Sequence, residues 1–204
     1  MHQEILNNKQ SSLLPFLGKF SPDFGLVGGT AIALHIGHRE SIDFDLFTHN
    51  EDFNGEKILT KFKKFSPIER MYRNDKNELT FLAQNVQITF LYYPYPIEFL
   101  NEFQHGIHLP DLLTLGAMKL YALGRRAKWK DYVDMYFILR NFHSLYEIIA
   151  KAQKIFGNEI NEKILREQLC YFEDIDYTES VTYLPEFKTS NETIKEFLTQ
   201  ISVS

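Results

Sequence analysis

Val27-Gly28-Gly29-Thr30-Ala31-Ile32-Ala33-Leu34-His35-Ile36, followed through Gly37-His38-Arg39-Glu40-Ser41 by Ile42-Asp43-Phe44-Asp45-Leu46-Phe47, is the stretch on which the fold turns. Phe24 to Val27 reads as a short buried strand, Gly28-Gly29-Thr30 as a glycine turn, and Ala31 to Ile36 as a helix. Ile42 to Phe47 alternates with period two, the mark of a strand, with both aspartates on one face and the apolar side chains on the other. Carboxylates at i and i+2 of a strand have Cα atoms about 6.6 Å apart, close enough to reach one or two hard cations together. Without Cβ atoms, the backbone N–H groups of the glycine turn can approach a phosphate chain, and the following helix N-terminus favours negative charge. The spacing predicts a metal site beside a phosphate cradle.

Working outward, residues 2 to 20 carry helical apolar spacing, with Pro15 as a break or a fresh start, and Lys57 to Phe65 reads as another helix. Three β-rich runs follow at Ile68 to Tyr72, Leu79 to Leu82 and Val86 to Tyr93, with a hairpin turn expected around Asn85. Pro94-Tyr95-Pro96 ends this region. Beyond Pro110 the spacing is helical over Asp111 to Gly124, Lys130 to Arg140, Leu145 to Phe156, Glu159 to Tyr171 and Glu192 to Ile201. The expected class is α+β, with a mixed-sheet lobe over residues 1–109 and a helical lobe over 110–204 packed against it.

The chain's 204 residues, 44% hydrophobic and 15% aromatic, suffice for a full-sized core and exclude intrinsic disorder. The uncharged run Phe24 to His38 is too short and too glycine-rich to span a bilayer. The first twenty residues lack the layout of a secretion signal, and the single cysteine, Cys170, can form neither an internal disulfide nor a cysteine-based zinc site. A cytoplasmic protein with no membrane contact is expected. Net charge is −5, unevenly spread: Asp111 to Arg140 holds six bases against three acids, and Gly157 to the end holds ten acids against four bases. The basic middle segment can hold a polyanion locally, because screening confines such fields to about 8 to 10 Å. A solvated helix face accounts for the same charge equally well.

An Asp-x-Asp pair alone carries little weight, since ten aspartates in this length give about 0.5 such pairs by chance. Asp174-Ile175-Asp176 is a second pair, lacking any strand pattern or glycine turn, and reads as solvated surface. Context separates Asp43 and Asp45 from it. Together with Lys119-Leu120-Tyr121-Ala122-Leu123-Gly124-Arg125-Arg126 and Lys130-Asp131-Tyr132-Val133-Asp134-Met135-Tyr136, the segment from Val27 to Phe47 resembles the motifs of the AbiEii/AbiGii abortive-infection nucleotidyltransferase toxins, a group within the DNA polymerase β-like superfamily. The resemblance implies a polymerase β-like lobe and Mg²⁺-dependent transfer of a nucleoside monophosphate from a nucleoside triphosphate to an acceptor hydroxyl. It implies Asp43 and Asp45 as metal ligands and Gly28, Gly29 and Thr30 as the phosphate cradle. Lys119 would neutralise the triphosphate, and Asp131 and Asp134 would complete or orient the site. It also implies the toxin half of a toxin–antitoxin pair, with a cognate antitoxin as partner.

Polymerase β-like enzymes typically place a third carboxylate on a later strand, where this chain offers Gln87 and Thr89. Asp131 or Asp134 substitutes, one metal suffices, or catalysis is lost. Arg39 is expected either on phosphate or paired with Asp45 or Glu40. For the acceptor, Arg125, Arg126 and Lys128 point to RNA, with Trp129 either stacking on a base or filling the core. The rivals are an enzyme that modifies a small molecule, as antibiotic nucleotidyltransferases do, and an inert nucleotide- or partner-binding module.

Overall fold

A computed structural model describes residues 1–123 and 125–204. The first helix, α1 (Asn8–Leu17), opens on a reciprocal capping box between Asn7 and Gln10 and runs through Pro15 without breaking. It buries Leu13, Leu14, Phe16 and Leu17. Strand β1 (Gly25–Val27) leads directly into α2 (Gly28–Ile36), so the two glycines and Thr30 form the helix's first turn rather than a separate loop. Almost every side chain of α2 is buried, and Gly37, in the left-handed region at φ 77°, ends it.

Strand β2 (Phe44–Thr48) follows, then α3 (Gly55–Lys63) and the strands β3 (Arg70–Asn74), β4 (Glu78–Ala83) and β5 (Val86–Tyr92). They form a five-stranded sheet of order β1-β2-β5-β4-β3. Only β2 and β5 run parallel, which makes the sheet mixed. The parallel pair needs a long crossover, supplied by α3 and the β3–β4 hairpin. Gln84 and Asn85, both at positive φ, turn the chain between β4 and β5. A small antiparallel pair, β6 (Asn101–Phe103) and β7 (Ile107–Leu109), has no counterpart in the sequence reading.

The second half is helical: α4 (Leu112–Leu123), α5 (Trp129–Asn141), α6 (Leu145–Phe156), α7 (Glu162–Leu169) and α8 (Asn191–Ser202). The expected end of the first of these helices, at Gly124, lies outside the described residues. A single hydrophobic cluster runs from Leu13 and Phe16 through the sheet residues Phe44, Phe81 and Phe90 to Leu120, Tyr136 and Ile148. Between α7 and α8 the chain is irregular but tethered. Asp176 exchanges backbone hydrogen bonds with Ala127 and Trp129, while Thr182 and Leu184 bond to Glu40 and His38.

Candidate active site

The paired aspartates do not both lie on a strand. Asp45 is in β2, whereas Asp43 precedes it at the exposed rim. Two contacts fix their approach to the helix. The Thr30 hydroxyl, buried, donates to the backbone carbonyl of Asp43 and lies 3.0 Å from Ser41 Oγ, stapling the first turn of α2 to the loop before β2. Asp45 packs against Gly28 so closely that a Cβ there would stand 2.3 Å from its Oδ2, and Gly28 adopts φ +72°, a conformation L side chains avoid. At Gly29 a Cβ would meet Nη2 of Arg39 at 2.5 Å.

Asp45 faces an open cleft of about 480 Å³. One wall carries Gly28, Asp45 and Thr89; the other, from the helical half, carries Lys119, Tyr121, Arg125 and Arg126. Asp45 sits opposite Thr89 in the β2–β5 register, and Thr89 sits opposite Thr80 in the β4–β5 register. Burial raises the pKa of Asp45 to about 6, repulsion from Asp43 adds to the rise, and the charges of Lys119 and Arg126 and the neighbouring Thr89 hydroxyl oppose it. Burial also raises Asp43. Among the described residues neither aspartate forms an ion pair with a protein cation, and no group of three or more potential metal ligands clusters anywhere. The protein thus offers two unneutralised carboxylates beside a helix N-terminus. That set fits a hard divalent cation which takes its remaining ligands from phosphate oxygens and water.

Lys119, Asp131 and Asp134 form an ion-pair cluster of their own on the other wall. The Lys119 ammonium, 6% exposed, lies 2.6 Å from Asp131 Oδ1 and 3.0 Å from Asp134 Oδ2. Arg39 grips Asp134 with both prongs, Nε to Oδ1 at 2.7 Å and Nη2 to Oδ2 at 2.9 Å, and donates Nη1 to the Glu40 carbonyl. Its partner is therefore Asp134, not Asp45 or the Glu40 carboxylate, and with 2% exposure the guanidinium lies behind Gly29 rather than in the cleft. His38 Nε2 completes the group at 2.8 Å from Asp134 Oδ1. Burial works against ionising Asp134, but Arg39, Lys119 and the His38 hydrogen bond hold it well below the usual carboxylate range. Burial outweighs Asp134 at His38 and lowers its pKa, so the imidazole is neutral, with Nε2–H donated and Nδ1 left without a partner.

Each cation of the basic segment already has a carboxylate. Arg125 pairs with Glu159 at 2.7 Å and lies 4.1 Å above the Tyr121 ring; Arg126 donates to Asp131 Oδ2 at 3.0 Å. Lys128 and Lys130 both reach Glu179. Trp129, 4% exposed, packs on Tyr132 and Tyr177. It is a core residue, and base stacking on it is excluded. Sequence reasoning missed Glu78, which lines the cleft and accepts a hydrogen bond of 2.8 Å from Thr80. The polar alternation Glu78, Thr80 on β4 was the available signal. It also missed His38, on which no pattern bears.

A family profile described as "Nucleotidyl transferase AbiEii toxin, Type IV TA system" matches residues 16–197. An uncharacterised Aquifex aeolicus protein, aq_aa25, is 34% identical over 158 residues, covering 74% of this chain and 75% of its own. Two solved structures share the fold at low identity. MenT4, nucleotidyltransferase toxin Rv2826c of Mycobacterium tuberculosis, superposes with TM-score 0.61 at 15% identity, over 95% of this chain and 80% of that one. JHP933 of Helicobacter pylori does so with TM-score 0.60 at 15% identity, over 100% and 92%. The chain belongs to the AbiEii family of nucleotidyltransferase toxins.

Proposed function

We propose that this nucleotidyltransferase moves a nucleoside monophosphate from a nucleoside triphosphate to an acceptor hydroxyl of RNA, as the toxin of a bacterial abortive-infection system held in check by a cognate antitoxin in the cytoplasm. The observation that carries the reading is the cleft in which Asp45, seated on the N-terminus of α2, faces Lys119 and Arg126 across from the helical half. In this proposal residues 1–109 supply the carboxylates and residues 110–204 the opposing positive charge.

Asp43 and Asp45 would hold Mg²⁺, which when bound neutralises the polyphosphate and polarises the phosphorus under attack. The backbone N–H groups of Gly28, Gly29 and Thr30 receive the phosphate oxygens, where the helix N-terminus favours negative charge. The Thr30 hydroxyl is spent on the Asp43 carbonyl and positions the rim aspartate. Lys119 and Arg126 set a positive potential over the cleft, and Asp131 holds both of them in place. Arg39 acts one step removed, bracing Asp134, which braces Lys119.

Labelled nucleoside triphosphates, incubated one at a time with the protein, Mg²⁺ and total cellular RNA, test the reading. Label should enter RNA with wild type and not with Asp43→Asn or Asp45→Asn. Near wild-type transfer by either variant would overturn the metal assignment. Thr89, standing opposite Asp45 where a further carboxylate would serve a second metal, favours one other reading. Triphosphate binding with Mg²⁺ but no transfer to any acceptor would make the chain an inert binding module.

A further inference from the structure

Beside the rim aspartate, two lysines converge on one carboxylate. Lys128 Nζ lies 2.6 Å from Glu179 Oε1 and Lys130 Nζ lies 3.2 Å from Oε2, so the ammonium groups straddle the carboxylate from its two oxygens. The lysines flank Trp129, whose burial fixes the backbone between them. Glu179 belongs to an exposed arch, residues 177–181, anchored on both sides: Asp176 bonds to Ala127 and Trp129, and Thr182 and Leu184 bond to Glu40 and His38. Residues 177–181 themselves add no backbone hydrogen bond to the body of the protein. Through Thr182 the arch rejoins the body at Glu40, on the loop that leads to Asp43. The pair is thus held by an arch that is tied to the loop carrying Asp43. A second groove, about 510 Å³, shares Arg125 and Arg126 with the cleft and is lined further by Lys128, Gln168, Asp174 and Asp176.

A carboxylate bridging two ammonium groups through separate oxygens occupies the place that the two non-bridging oxygens of a phosphodiester would take. We propose that Lys128 and Lys130 form a phosphodiester subsite for the acceptor strand, and that Glu179 fills it as an internal stand-in until the strand displaces it. The inference rests on the RNA reading above and adds to it where the strand crosses the rim and what it must push aside. Because residues 178–180 are exposed and add no backbone hydrogen bond to the body, Glu179 can leave while Tyr177 keeps its packing on Trp129 and Val181 its place against the core.

Binding of a fluorescein-labelled single-stranded RNA, followed by anisotropy between about 50 and 200 mM salt, tests it. Glu179→Gln should tighten binding about threefold, inside the range of about 1.4- to 5-fold that an exposed ion pair is worth. Lys128→Ala with Lys130→Ala should weaken binding and flatten the log–log salt slope by about 0.7, the share of one phosphate on a single strand. The decisive comparison is Glu179→Gln in the double-lysine background, where the gain should vanish, since a carboxylate with no subsite to occupy competes for nothing. Glu186→Gln, in the short 3-10 turn Pro185–Phe187 before α8 and in no ion pair among the described residues, should leave affinity unchanged. If wild type binds RNA but Glu179→Gln matches it, or tightens binding equally without the lysines, the subsite is wrong and the RNA reading stands. If neither wild type nor Glu179→Gln binds RNA with any salt dependence, both fall.

Discussion

At Asp45 a carboxylate needed for charge is kept in a place that resists charge. Its pKa of about 6 lies above the unfolded value of 3.8. Above about pH 6 the group is therefore ionised in both states, and the folded protein bears the desolvation cost. As pH falls from about 6 to about 4 the folded state takes up the proton first, and that cost is relieved. In the metal-free protein Asp45→Asn should raise the unfolding free energy at pH 8 by at most about 3 kcal/mol, with the two proteins converging near pH 4. Urea melts at the two pH values check this, and a variant less stable at pH 8 would mean that the carboxylate is not strained there. Gly28 makes the complementary case. Gly28→Ala puts a Cβ into the Asp45 carboxylate at a backbone angle that costs about 1 to 2 kcal/mol for an L residue. It should lower the melting temperature and abolish nucleotidyl transfer together, whereas Gly106→Ala, equally left-handed but open, should lower stability alone.

Among the elements, α2, α4 and α5 are joined by ion pairs as well as by packing. Lys119→Ala leaves Asp131 without its buried ammonium and Asp134 with one cation fewer, so it should cost about 3 to 5 kcal/mol of stability, as removal of one partner of a buried pair does. Thermal melts of Lys119→Ala against Lys119→Ala with Asp131→Asn should show partial recovery in the double variant; a single variant melting like wild type would place the lysine outside the core. How much of this was legible in the sequence varies by element. Period-two alternation found β2, β-rich composition found β4 and β5, and 3.6-residue apolar spacing found the helices from α4 to α8, most plainly in α6, α7 and α8, where one face is polar. The β6–β7 pair was invisible: three-residue strands are too short for a period to show. The boundary before Asp43 was misread because Ile42, half exposed, continues the alternation without continuing the strand. Candidate site residues could be picked out where a motif spacing carries them, as at Gly28, Asp43 and Asp45. The partners of Arg39 and Lys119 were not, since they lie 95 and 12 residues along the chain and no local pattern encodes a contact.

For the whole molecule, the core does not divide at residue 110. The hydrophobic cluster is continuous, α2 packs against both α4 and α5, and Arg39 and His38 from one half reach Asp134 in the other. Residues 1–109 expressed alone would expose the buried face of α2 together with an unpaired Arg39. That fragment should lack a cooperative melt, while the full chain unfolds in one transition by circular dichroism and calorimetry. A fragment with a sharp transition of its own would make the halves independent. Acid should unfold the full chain through the same junction. His38 is held below its ordinary pKa and Asp134 far below its own, so both contribute stability that is lost as pH falls.

The buried set of His38, Arg39, Lys119, Asp131 and Asp134 has a consequence for anyone selecting survivors of this toxin. A change at any one of the five strands a charge or a polar atom without solvent, so such clones escape by losing the protein rather than its chemistry. Survivor screens should therefore return two populations that a growth assay cannot tell apart. Changes at Asp43 or Asp45 leave soluble, inert protein in the lysate. Changes in the quintet leave pellets and proteolytic fragments. Sorting escape alleles by soluble yield before assigning them roles separates the residues that act from those that hold the acting residues in place.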